Sequence, residues 1–201
     1  MLNSSCKLSL LLFVTSLLSA CMGGGTTPTR YYLVEPVDYA SETVSAVRPL
    51  SIEILDLHIP QYLERFQIAS RVGESRLEFS DGNQWGENLR KNLLRSMARN
   101  LSRLLSTIDV ATPLNRSTSS PDYRVQIHIE QFELDVNNIV QLVARWQLSS
   151  SAQTESLGVF SAELQSEKSI EKDNYDQMVA SMRQLYGELS ARIADSIINQ
   201  E

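Results

Sequence analysis

The change in hydrophobic period along the chain constrains the fold more than any other feature. Several segments before residue 170 alternate apolar and polar residues, which predicts strands with one buried face. The last segment instead repeats apolar residues at helical spacing, at Tyr175, Met178, Val179, Met182, Leu185, Tyr186, Leu189, Ile193 and Ile197. This stripe predicts a long amphipathic helix capped by Asp173 or Asn174. Because such a helix must bury its stripe, we expect helices packed on a sheet.

A second helical stripe occupies the middle of the chain. Apolar residues recur there every four positions, at Trp85, Leu89, Leu93, Met97 and Leu101. Basic residues occupy the other sides of the same stretch, so the pattern predicts an amphipathic helix over about residues 84–105. The dipeptide Asp81-Gly82 predicts a turn directly before this helix.

Six to eight strands are expected around the two helices. Extended segments are predicted at residues 30–36, 50–57 and 107–111, with a hairpin formed by 67–72 and 75–79. Residues 123–134, 140–148 and 158–166 predict an antiparallel meander. The opposite parity of Phe132 and Leu134 predicts either a bulge near Gln131 or a switch of face, and Asn137-Asn138 predicts a turn. The sequence therefore predicts an α+β fold, with a mostly antiparallel or mixed sheet and two long amphipathic helices packed on it.

The first thirty residues predict export and lipid attachment. The apolar run from Leu8 to Leu18 is shorter than the ~20 residues of a membrane-spanning helix, and Lys7 precedes it as in a secretory signal. Leu18-Ser19-Ala20-Cys21 resembles the bacterial lipobox, in which the cysteine thiol is lipidated. These features predict a signal peptide over 1–20, a lipidated tether over 21–29 and one domain over 30–201. The alternative is an ordinary signal cut near Ala20, with Cys21 incidental.

The residue after Cys21 bears on the choice of membrane. An aspartate at this position commonly retains bacterial lipoproteins at the inner membrane, and here the position is Met22. The sequence thus predicts anchoring at the periplasmic face of the outer membrane. Loss of residues 1–20 leaves 17 basic and 24 acidic side chains, a net charge of −7. Such an acidic domain does not fit a nucleic-acid partner.

The sequence contains no constellation that indicates catalysis. No cysteine follows Cys21, so the domain has no thiolate nucleophile, disulfide or cysteine metal site. The two histidines, His58 and His128, lack the spacing of a metal site and are interpreted as strand-edge or surface side chains. The sequence predicts a non-enzymatic protein without cofactor or metal.

The middle of the chain resembles a known family. The run IEILDL, then IPQYLERFQIASR, then RLEFSDGNQWGENLRKNLLRSMARNLSRLL, is similar to the ABC-type transport auxiliary lipoprotein family. The positions that match the family pattern are Pro60, Tyr62, Leu63, Arg65, Ile68 and Arg71. Trp85 matches the family tryptophan that opens the first helix, and YYLVEP agrees with the family layout. Phe66 departs from the pattern, because a proline is expected there.

The resemblance implies a non-catalytic accessory of an envelope lipid transport system. It implies an outer-membrane lipoprotein that docks to a periplasmic MCE-domain protein and assists phospholipid traffic. Two alternatives stay open: an outer-membrane assembly or secretion lipoprotein that acts as a chaperone or pilot, and a periplasmic enzyme without a recognisable motif. Homo-oligomer formation also stays open.

The residues that carry the resemblance have two interpretations. The candidate partner-binding residues are Pro60, Tyr62, Leu63, Arg65, Arg71 and Trp85. In the functional interpretation, residues 60–71 present a docking edge. In the structural one, the aromatic residues and Leu63 pack against the sheet, and the arginines pair with acids such as Glu64 and Glu78.

Overall fold

One mixed sheet carries both long helices in the computed structural model. The structure describes residues 28–39, 49–115, 120–150 and 156–200. The predicted signal peptide and Cys21 lie outside these residues. Within them, the predicted α+β class is confirmed, as are the mixed sheet and the two helices.

The sheet contains eight strands. In chain order they are β1 (Arg30–Tyr32), β2 (Ile52–His58), β3 (Gln67–Gly73), β4 (Arg76–Trp85), β5 (Val110–Ala111), β6 (Tyr123–Leu134), β7 (Val140–Ser150) and β8 (Ser156–Gln165). The strands β6, β7 and β8 form the predicted antiparallel meander. The other edge of β6 pairs in parallel with β2 along its first half and with β3 at its end, which joins β4 and β1 to the sheet.

Both helices begin at asparagine caps. Helix α1 (Leu89–Leu104) follows Asn88, whose side chain accepts a hydrogen bond from Lys91 N, and α2 (Tyr175–Ile198) follows Asn174, whose side chain accepts from Gln177 N. Of the two predicted caps of α2, Asn174 is therefore the one used.

The helices cover one face of the sheet. Alternate β7 residues from Val140 to Leu148 are buried on that face, whereas the residues between them are at least partly exposed. Trp146 Nε1 donates to Ser196 Oγ at 3.0 Å, and Tyr186 Oη donates to Leu93 O at 2.9 Å. These bonds satisfy the polar atoms of large buried side chains at the sheet–helix and helix–helix contacts.

Residues 33–39 form a strap that lies across both helices. Val34 N and Val37 N donate to the side chains of Asn92 and Asn100 on α1, at 2.7 and 3.0 Å. On α2, Arg183 Nη2 donates to Pro36 O at 2.7 Å. The strap therefore replaces the longer strand predicted over 30–36: after Tyr32 its backbone bonds to helix side chains instead of a neighbouring strand.

The start of α1 corrects the sequence prediction. The helix begins at Leu89 and not near residue 84, because β4 continues to Trp85, which pairs with Tyr32 of β1. The turn predicted at Asp81-Gly82 is wrong, since both residues lie inside β4. Only Ile68 separates Gln67 and Ala69, whereas four residues separate their partners Gln84 and Phe79, so the chain bulges there.

Two further strand predictions are refined. The strand predicted over 107–111 is reduced to Val110–Ala111. The predicted bulge near Gln131 is confirmed as a shift in β6–β7 register between Ile129 and Gln131, and β6 continues through it as one strand. The predicted turn at Asn137-Asn138 is also confirmed, with Asn138 in the left-handed region at a φ of 60°.

Candidate functional site

A single 3₁₀ turn shapes the candidate docking segment, residues 60–71. The turn spans Gln61–Glu64 and follows Pro60, whose carbonyl oxygen accepts from Leu63 N at 2.9 Å. Proline fixes one backbone torsion and lacks a donor, so it suits the start of such a turn. Leu63 is buried at 2 % exposure and fixes the turn to the core. The turn thus sets the directions of its remaining side chains.

The centre of the site is a fully buried carboxylate, Glu133 on β6. Tyr62 Oη donates to Glu133 Oε2 at 2.8 Å, and Arg71 Nε and Nη2 donate to Glu133 Oε1 at 3.1 and 2.9 Å. The backbone N–H of Phe132 donates a fourth bond to Oε2 at 3.0 Å. The burial of Glu133 is therefore compensated by an opposite charge and by hydrogen bonds to both oxygens.

The location of Glu133 explains how its network connects distant parts of the chain. Phe132 points toward the helices, so the adjacent Glu133 points to the opposite face of the sheet. Tyr62 and Arg71 cover it on that face, from the 3₁₀ turn and from β3. Strand β6 changes partner from β2 to β3 in this region, with Ser70 opposite Leu134. The network therefore braces the junction between two halves of the sheet.

The exposed part of the segment lies directly after the turn. Phe66 is 58 % exposed, and the neighbouring Arg65 is also exposed. The Arg65 guanidinium carbon lies 4.5 Å from the ring centroid of Phe79, in a cation–π contact. The carbonyl of Phe66 accepts from Trp85 N at 2.7 Å, so the backbone under these side chains is bound to β4.

The structure thus divides the six candidate residues. Tyr62 and Arg71 meet at Glu133, whereas Leu63 and Trp85 are buried in the core. The acids suggested for the arginines are not their partners: Arg71 pairs with Glu133 instead of Glu78, and Arg65 contacts Phe79.

Sequence reasoning missed Glu133 altogether. The parity of Phe132 and Leu134 placed Glu133 on the outward side of β6, where an acid is unremarkable. Glu133 is buried because Tyr62 and Arg71, which are far away in the sequence, lie over this face of the sheet.

A cleft of about 830 Å³ lies next to the buried network. Its lining includes Arg71, Phe79 and residues around the start of α2. Apolar side chains, among them Leu134, Ile170 and Met178, contribute to its walls. The volume lies in the range of small-molecule pockets, roughly 300–1,000 Å³.

The described ranges contain little that suggests a metal site or a membrane span. No group of three or more histidine, cysteine or acidic side chains is arranged there to hold a metal ion. The exposed rings of His58 and His128 stack with their centroids 4.8 Å apart, in keeping with the predicted surface position. No helix in the described part of the chain is long and apolar enough to cross a membrane.

Alkaline pH should weaken the buried network. Burial raises the pKa of the Tyr62 phenol above its usual range, and the Glu133 carboxylate raises it further. Unfolded tyrosine ionises near pH ~10, so the stabilisation from neutral Tyr62 is complete below that pH and is lost as the pH rises toward the folded pKa. We expect urea midpoints to fall above pH ~10, and to fall less steeply for Tyr62→Phe. Equal slopes for both proteins would contradict a role for this phenol.

The comparisons with known proteins agree with the fold. Together they define an auxiliary lipoprotein component of a transport system. The model of the ABC-type transport auxiliary lipoprotein component family matches residues 31–194, and the chain belongs to this family. The suspected family resemblance is confirmed. No curated protein matches the sequence.

Two solved structures share the fold over most of their length. A protein described only as uncharacterized is 22 % identical, with a TM-score of 0.64, and the match covers 85 % of this chain and 99 % of that one. Protein XCC0632 from Xanthomonas campestris is 14 % identical, with a TM-score of 0.62 and coverage of 86 % and 95 %. At these identities the likeness supports the fold alone.

Proposed function

We propose that this protein is a non-catalytic outer-membrane accessory of an MCE-type phospholipid transport system. It acts by docking to the periplasmic MCE-domain protein. The proposal is supported by family membership together with the structure of residues 60–71. Hydrogen bonds to Glu133 hold this segment in place, and part of it is exposed. An auxiliary component needs a partner, and this segment offers a surface on a fixed backbone.

Some residues of the segment hold its backbone in place and others project into solvent, which suits a docking surface. Tyr62 and Arg71 are held by Glu133, and Leu63 is held by the core, so the backbone is ordered before any partner arrives. Preorganisation of this kind lowers the entropy cost of association. Arg65 and Phe66 then project from it, and arginine and aromatic side chains are enriched at the centres of protein interfaces. These two residues are the proposed contact, and Pro60, Trp85 and the buried residues support them.

Charge reversal combined with loss of the aromatic ring should abolish docking without unfolding the protein. We expect the double variant Arg65→Glu with Phe66→Ala to weaken capture of the MCE partner from the native envelope at least tenfold. The thermal midpoint should change little, because both side chains are exposed. The measurements are co-purification with the tagged full-length lipoprotein and thermal unfolding of the same samples.

Val159→Ala provides the matched control for this experiment. Val159 is 69 % exposed on β8 and lies far along the chain from the proposed contact. Normal capture by the double variant would remove the 60–71 segment from the interface. Capture of an outer-membrane barrel or secretin in place of an MCE protein would favour the assembly or secretion alternative.

The lipid anchor is tested at Cys21. We expect Cys21→Ser to leave the protein unprocessed or free in the periplasm, because serine offers no thiol for the diacylglycerol. Membrane fractionation with mass spectrometry of the amino-terminal peptide measures both outcomes. If the variant still sediments with the outer membrane and carries acyl groups, the lipobox interpretation is wrong.

A further inference from the structure

The cleft beside the buried network carries charges of both signs. Its acidic residues are Glu78, Asp81, Asp135, Glu171 and Asp173, and its basic residues are Arg30, Arg71 and Lys172. Arg71 is occupied by Glu133, but within the described residues the side chains of Arg30 and Lys172 have no hydrogen-bond or ion-pair partner. Two cationic groups are thus free beside several carboxylates.

The apolar lining of the cleft includes both exposed and buried side chains. Val72 and Val136 are 36 % and 53 % exposed, whereas Met178 and Ile170 are buried. An occupant with charge at one end and hydrocarbon at the other would match this lining. The excess of acidic over basic side chains disfavours an occupant with a net negative charge.

The short distance in sequence between the cleft and the proposed lipid anchor limits how far the cleft can lie from the membrane. Pro28, which lines the cleft, is seven residues after the proposed anchor at Cys21. Seven extended residues span at most about 25 Å. The cleft therefore lies within about 25 Å of the leaflet that holds the acyl chains. The exposed side chain of Ile108 lies away from the cleft. It precedes β5, which pairs with the start of β2, and so lies toward the other end of the long strands.

We infer that the cleft faces the membrane and binds the zwitterionic headgroup of a phospholipid such as phosphatidylethanolamine. Arg30 and Lys172 bind the phosphate, and acidic side chains of the cleft bind the ammonium group. The apolar side chains of the cleft contact the glycerol and the first methylenes of the acyl chains. This inference rests on the anchor at Cys21, which belongs to the proposed function. It does not depend on the docking partner.

A soluble short-chain lipid tests the cleft without the membrane. The probe is monomeric dihexanoylphosphatidylethanolamine, titrated by calorimetry into the full chain with Cys21→Ser. We expect saturable binding, at least tenfold tighter than for dihexanoylphosphatidylglycerol, because the latter carries a net negative charge. Lys172→Glu should weaken binding about tenfold, which corresponds to about 1.4 kcal/mol.

Lys168→Glu provides the matched control, since Lys168 is exposed four residues earlier and lies outside the cleft lining. Lack of saturation, equal affinity for the two lipids, or equal effects of the two lysine variants would overturn the inference. The Lys172→Glu variant with Cys21 intact should still capture the MCE partner normally. A wrong lipid-binding inference can therefore be distinguished from a wrong docking proposal.

Discussion

Leu189→Asp is expected to abolish cooperative unfolding, since the variant should not fold at all. Leu189 is fully buried on the stripe of α2, and Met182 is buried two turns earlier at 1 % exposure. A buried carboxylate without a partner costs several kcal/mol, and the lost apolar burial adds about 1.5–3 kcal/mol. The sum is comparable with the ~5–15 kcal/mol that stabilises a typical domain. Met182→Asp should behave in the same way.

Circular dichroism and thermal unfolding of the full-length protein measure this effect. Gln184→Asp is the matched control, because Gln184 is exposed on the same helix and receives the same new side chain. We expect the control to unfold within a few degrees of the wild type. Near-normal unfolding of Leu189→Asp would show that the stripe of α2 does not pack in the core.

Arg71→Met should destabilise the domain by about 3 kcal/mol. The Glu133 side chain has no exposure, whereas that of Arg71 is 27 % exposed. Removal of one partner from a buried ion pair typically costs 3–5 kcal/mol, and the partial exposure of Arg71 places this case at the lower end. Urea unfolding of the two proteins at pH 7 measures the loss. Arg76→Met, on the exposed start of β4 in the same hairpin, should cost less than about 0.5 kcal/mol.

The double variant Arg71→Met with Glu133→Gln identifies the cause of the loss. A neutral amide needs no counter-ion, so the double variant should be more stable than Arg71→Met alone. Additive losses would show that Arg71 contributes through packing and not through the charge of Glu133.

The two stability predictions also bear on the proposed docking surface. The exposed pair Arg65 and Phe66 is useful only if the backbone below it stays fixed, and the Glu133 network provides that fixation. A variant that weakens the network should therefore lose partner capture together with stability. Arg65→Glu with Phe66→Ala should lose capture alone, which separates contact from support.

The local pattern determined the main elements of this fold. Alternation of apolar residues located β6, β7 and the buried face that they share, and apolar residues at helical spacing located α1 and α2. These predictions succeed because the spacing of apolar residues along a short stretch of sequence reflects the period of a helix or a strand. The family resemblance similarly selected Tyr62 and Arg71, although not the reason that they belong together.

Tertiary structure alone decided the features that depend on distant partners. Trp85 continues β4 because β1 pairs with it, and residues 33–39 form a strap because α1 and α2 supply hydrogen-bonding side chains. The burial of Glu133 arises in the same way, since Tyr62 lies 71 residues away and Arg71 lies 62 residues away. A residue's own neighbours determine its torsions and the face to which it points. What covers that face depends on the path of the rest of the chain.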